Sequence, residues 1–104
     1  MTETTFLEAA NRLFMDVEDR VEDCGLDIDS SRSGNVLTLE SDDGSQVVIN
    51  LHAPTEQIWL ASRAGGLHYT FQDGLWRSTR GGTDFWADLE KALSFILGEP
   101  VRLS

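Results

Sequence analysis

The chain contains a single cysteine, Cys24, in 104 residues. It has no partner for an internal disulfide and supplies no thiolate cage for a metal. No apolar run approaches the 18 or so residues of a membrane-spanning helix, and no basic, apolar leader opens the chain. The expectation is a protein of a reducing, cytoplasmic compartment with no membrane association. Bases are scarce as well, with 8 Lys and Arg against 18 Asp and Glu and a net charge of −10. A chain so acidic, with no basic cluster, is repelled by nucleic acid and by anionic lipid. No Gly-rich loop opens a helix and no nucleophile motif surrounds a Ser or Cys, which excludes the usual acyl- and phosphoryl-transfer sites. Asp27-x-Asp29-x-Ser31 begins like a calcium loop, but Arg32 stands where that loop needs Gly and Thr38 where it needs Glu. Cys24, His52 and His68 lack any zinc-ligand spacing.

What the chain does have is acid in one place. Residues 1–43 carry 12 acids and 3 bases, whereas residues 44–104 carry 6 acids and 5 bases. Asp16, Glu18, Asp19, Glu22, Asp23, Asp27 and Asp29 fall within fourteen positions that contain one base, Arg20. Glu8, Arg12, Asp16 and Arg20 alternate in sign at spacing four, an ordinary solvent face of a helix. Glu18 with Glu22, and Asp19 with Asp23, are like-charge pairs at the same spacing, each costing about 0.2–0.5 kcal/mol. Glu22 and Asp23 also sit at the negative end of the helix dipole, a further cost of about 0.3–1 kcal/mol. A bound cation or a basic partner would turn this repulsion into attraction; a merely solvated acidic face is the plainer alternative. Carboxylates without His or Cys suit hard, oxygen-seeking ions such as iron, Mn, Mg or Ca. Carboxylates on one exposed helix face cannot enclose an ion, so binding would be shallow and weak.

Hydrophobic periodicity gives the order of elements. Phe6, Ala10, Leu13, Phe14, Val17 and Val21 form a helical stripe, so residues 4–24 read as an amphipathic helix, with Thr2, Thr4 or Thr5 as its cap and Gly25 as its stop. Residues 36–40, 46–51, 57–61, 67–71 and 75–78 alternate as strands, and Leu26–Asp29 reads as an edge strand. Asp43-Gly44, Gly65-Gly66 and Asp73-Gly74 lie between strands and have hairpin chemistry. Thr83 or Asp84 caps a second helix through Leu97, ended by Gly98 and Pro100, and residues 101–103 form a short tail. Asp84, Asp88 and Glu90 read as first-turn charge and a solvated face. The expected fold is a single α+β domain over residues 1–104, an α-β sandwich. An antiparallel sheet of about five to seven strands carries the N- and C-terminal helices on one face.

The other face is then open. If Ile58 and Leu60 point at the helices, Gln57, Trp59 and Ala61 point away, joined by Asn50, His68 and Thr70. A Trp among polar groups on an open sheet is either an interface anchor or a cross-strand packing group.

These residues resemble a known family, the frataxins, and most closely its bacterial branch. The most specific stretch is Asn50 to Leu60, with its Pro54-x-x-Gln57-Ile58-Trp59-Leu60 core. Gly65-Gly66, Gly74-x-Trp76 and Thr83-x-Phe85-Trp86 follow in the family's order, and Val17 to Cys24 is similar to the acidic ridge on the family's first helix. The resemblance covers essentially the whole chain. It implies a non-enzymatic regulatory or iron-donor protein of bacterial iron–sulfur cluster assembly that binds Fe(II) or Fe(III) weakly through the ridge and modulates the cysteine desulfurase. It also implies docking on the cysteine desulfurase, near the scaffold protein, and a monomer in the absence of iron. Glu18, Asp19, Glu22, Asp23, Asp27 and Asp29 take the ridge positions, and Asn50, Gln57 and Trp59 the sheet-surface positions. His68 falls where the family is commonly basic, and His52 where many members have Gln or Arg. An acidic interaction module with no metal role, and a ferroxidase or iron-storage protein, are the competing readings.

Overall fold

The computed structural model describes residues 2–63 and 65–103. Helix α1 spans Glu3–Asp23. Thr2 caps it, its hydroxyl accepting from the Thr5 amide at 3.1 Å. The stripe read from the sequence is its buried side, with Phe6, Ala10, Phe14 and Val17 fully enclosed. Its end is a left-handed turn at Gly25, φ +63°. There the Gly25 amide donates to the Glu22 carbonyl at 3.1 Å and the Leu26 amide to that of Val21 at 3.4 Å. This double closure satisfies carbonyls the helix would otherwise leave open, and it wants a residue without a Cβ at the turn.

Six strands follow: β1 Ile28–Ser33, β2 Val36–Ser41, β3 Gln46–His52, β4 Gln57–Ser62, β5 Gly65–Gln72 and β6 Leu75–Ser78. They pair antiparallel in sequence order as one open sheet. A 3-10 turn at Ala53–Thr55, with Pro54 inside it, links β3 to β4. Helix α2 spans Phe85–Leu97, capped by Asp84 and ended by left-handed Gly98. Leu37, Leu39, Val47, Ile49, Leu51, Ile58, Leu60, Tyr69 and Trp76 alternate inward and close one core with the stripes of α1 and α2. Both helices therefore cover the same face of the sheet, as expected.

Four details differ from the sequence reading. The edge strand begins at Ile28 rather than Leu26 and runs to Ser33. Leu26 is consumed by the helix-ending turn, and beyond Ile28 the strand is exposed throughout, so no apolar alternation marked it. Gly65 and Gly66 belong to β5, opposite Ser62 and Ala61, not to the turn before it. Asp88 is buried rather than solvated, accepting from the Tyr69 phenol at 2.8 Å and the Thr83 hydroxyl at 2.6 Å. Glu90 is half-buried and accepts from the Leu103 amide at 2.7 Å. That bond, with the Val101 amide donating to Ser94 Oγ, draws the tail onto α2 and buries Val101 and Leu103.

Candidate functional sites: an acidic ridge and a three-ring face

The first surface is built by the C-terminal half of α1 and the segment after it. Asp16 and Glu18 are half-buried, while Asp19, Glu22, Asp23, Asp27 and Asp29 are exposed. Arg20 does not spread over these acids; its guanidinium lies 4.1 Å from the centre of the Trp86 ring on α2. This cation–π contact ties the two helices together and takes the local base out of the ridge. Among the described residues, no three His, Cys, Asp or Glu side chains converge as a preformed metal cage.

The seven carboxylates do not form one row. Asp27 is joined to Asp42, in the β2–β3 turn. A hydrogen bond with Asp27, then the Asp27 charge, then slight desolvation and the charges of Asp29 and Asp43 hold the Asp42 carboxyl above its usual range. Asp43 beside it behaves oppositely. Hydrogen bonds from the Ser41 hydroxyl, at 2.5 Å, and the Ser45 amide, at 2.9 Å, lower its pKa to about 2. Asp42 and Asp43 thus extend the acidic surface. The sequence had shown them only as the acids of a hairpin turn.

The second surface is the open face of the sheet. Asn50, Trp59 and His68 lie on one cross-strand row, and His52 faces Gln57 on the next. The sequence reading placed Asn50, Gln57, Trp59 and His68 together here, and the register does so. What it missed is the stack. The His52 and Trp59 rings lie 4.2 Å apart with planes 15° from parallel, and the Trp59 and His68 rings 4.4 Å apart at 12°. The indole N–H donates to Gln57 Oε1 at 2.9 Å, and His52 Nδ1 lies 2.7 Å from Thr55 Oγ1. Trp59 is thereby both half-covered and presented, so the two readings of it merge. Strand alternation alone could have found the stack, since His52 has the same parity as Asn50 on β3.

An α-β sandwich with an acidic helix ridge and a Trp-centred open sheet defines the class of protein. The comparisons with known proteins specify it. Residues 1–99 match the frataxin-like domain family. The chain is 42% identical over its full length to the iron–sulfur cluster assembly protein CyaY of Neisseria meningitidis serogroup B, covering 97% of that protein. Its identity to the CyaY of Paraburkholderia phymatum is 40%, again over all of this chain and 99% of the relative. The fold superposes on a frataxin from Psychromonas ingrahamii with a TM-score of 0.92 at 32% identity, covering 100% of this chain and 99% of the other. A trimeric frataxin from the yeast Saccharomyces cerevisiae, complexed with ferrous iron, matches at 0.69 and 29%, over 95% of this chain and 88% of the yeast chain. The chain belongs to the frataxin family.

Proposed function

We propose that this protein serves bacterial iron–sulfur cluster assembly in the cytoplasm as a non-enzymatic, iron-binding module. Its ridge holds Fe(II) or Fe(III) weakly and docks on a basic surface of the cysteine desulfurase. The sheet face around Trp59 makes the desolvated contact, close to where the scaffold protein sits. The observation that carries this reading is the separation of two chemically different surfaces, a carboxylate ridge on α1 and an aromatic-polar face on β3–β5. The names of the bacterial relatives and the ferrous complex of the yeast protein support it. Iron here is cargo, held by Asp16, Glu18, Asp19, Glu22 and Asp23, with Asp27 and Asp29 beside Asp42. Carboxylate oxygens suit so hard an ion, and an open arrangement exchanges it readily. A ferroxidase would need ligands closing around paired irons, and the ridge acids are mostly exposed.

The test is an anaerobic Fe(II) titration followed by amide NMR, with and without the cysteine desulfurase. Signal loss is expected over residues 16–29 and 42–43 on adding iron, and changes at Asn50, Gln57 and Trp59 on adding the enzyme. The combined variant Glu18→Gln, Asp19→Asn, Glu22→Gln, Asp23→Asn is expected to lose most of the iron response. If iron perturbs nothing while the desulfurase footprint persists, the metal role is wrong and an acidic docking module remains. Absence of both responses defeats the proposal.

A further inference from the structure

The orientation of the three stacked rings decides what the open face can recognise. His52, Trp59 and His68 come from three neighbouring strands, β3, β4 and β5. Their spacings of 4.2 and 4.4 Å follow the separation of paired strands, about 4.8 Å. The stacking axis therefore runs along the sheet, and the ring planes stand across it. The surface shown to a partner is made of ring edges rather than ring faces. Aromatic edges are the positive part of the quadrupole, and imidazole edges add N–H donors. Arg77 of β6 lies on the same face, opposite Thr70, next but one to His68.

Few acids reach this patch, and its nearest base, Arg77, donates to the Gly82 carbonyl at 3.2 Å. Glu56 follows the 3-10 turn and is half-buried, with its Oε1 enclosed. Asp84 pairs with Arg77 across a β-bridge, and its side chain is engaged by the Ala87 amide at the start of α2. Asp73 lies in the β5–β6 turn, five residues from His68. Glu40, with Asp29 opposite it, lies four residues along β2 from the row that holds Trp59, roughly 13 Å away. No other acid of the described strands or turns stands nearer on this face.

We propose that the His52–Trp59–His68 edge binds a carboxylate-bearing segment of a protein partner, and that protonation of the two imidazoles tightens the contact. This rests on the reading of the Trp59 face as a docking surface and adds what that surface selects. The molecule then offers partners two opposite preferences: the ridge selects bases, and the three-ring edge selects acids. Imidazole is the side chain that changes charge between pH 5 and 8. An imidazolium also stacks on indole more favourably than neutral imidazole does.

The experiment measures the affinity of the full chain for the assembled cysteine desulfurase and scaffold of the same bacterium at pH 6, 7 and 8. It is repeated with His52→Phe/His68→Phe, which keeps three stacked rings and removes both titrations, and with Trp59→Ala. The expected result is tighter binding at pH 6 in the native chain, a markedly flatter pH profile in the double Phe variant, and loss of affinity with Trp59→Ala at every pH. Equal pH profiles in the native chain and the double variant, with Trp59→Ala still deleterious, overturn the carboxylate contact and leave the docking face intact. A profile that tightens toward pH 8 only when the histidines are present assigns a basic partner and also overturns it. An unaffected Trp59→Ala removes the docking reading itself and this inference with it.

Discussion

Asp42 and Asp43 are adjacent carboxylates that respond to pH in opposite senses, because one meets another acid and the other meets hydroxyl and amide donors. The folded-state pKa of Asp43 is lowered to about 2 from an ordinary 3.8. Its ionised form therefore stabilises the fold above about pH 4, and that contribution is lost as pH falls toward 2. Asp43→Asn is expected to lower the thermal midpoint at pH 7 and to differ progressively less from the native chain between pH 4 and 2.5. Asp42, whose pKa is raised, works the other way, so Asp42→Asn is expected to raise the midpoint at pH 7, with the gain fading in acid. Parallel midpoint curves for native and variant chains would refute the assignment. Residues like these were the least legible in the sequence. The spacing of Asp42-Asp43-Gly44 announces a turn, but which acid finds a donor depends on where Ser41, Ser45 and Asp27 arrive in space. Asp88 was misread for the same reason: at the start of a helix it resembles dipole-complementing surface charge, and only packing brings Tyr69 and Thr83 to it. Burial and the Asp88 carboxylate in turn hold the Tyr69 phenol well above its ordinary pKa.

At the scale of elements the sequence was far more explicit. Helix stripes, caps and five of the six strands were legible because each is written in local periodicity and turn chemistry. The edge strand β1 was legible only at its first residues, since an exposed strand of Ser, Asp and Arg has no pattern to betray it. Its Arg32 nevertheless faces the helices, with its guanidinium 4.7 Å from the Phe14 ring centre and hydrogen-bonded to Asn11. The tail after α2 is the second element that only the fold explains. Val101 and Leu103 are buried at 6% and 3% exposure, which makes two residues outside any helix or strand part of the core. Leu103→Ala is expected to cost about 1.5–3 kcal/mol, the value of one buried aliphatic side chain. The neighbouring exposed Arg102→Ala is expected to stay within about 0.5 kcal/mol. Urea unfolding with an unchanged slope measures both, and equal small effects would mean that the tail is not anchored.

The whole molecule carries its charge lopsidedly, and salt should act on it in two opposing ways. Screening the ridge relieves like-charge repulsion, so raising ionic strength from about 0.02 to 0.5 M is expected to raise the thermal midpoint of the free protein. Each kcal/mol relieved corresponds to about 4–8 °C for a domain of this size. The same screening is expected to weaken docking on a basic desulfurase surface, whereas the loss caused by Trp59→Ala persists at any ionic strength. Stability and affinity that move together with salt would refute the ridge as a docking charge. The edges of the sheet bear on a different matter, the ways this chain can and cannot polymerise. An open sheet has two unsatisfied borders, and such borders invite strand addition. Here β1 presents a border of Asp29, Ser30, Ser31, Arg32 and Ser33, while β6 is only four residues long. Neither is a good template for another backbone. The chain is thus guarded against fibril-like growth by the dullness of its outermost strands.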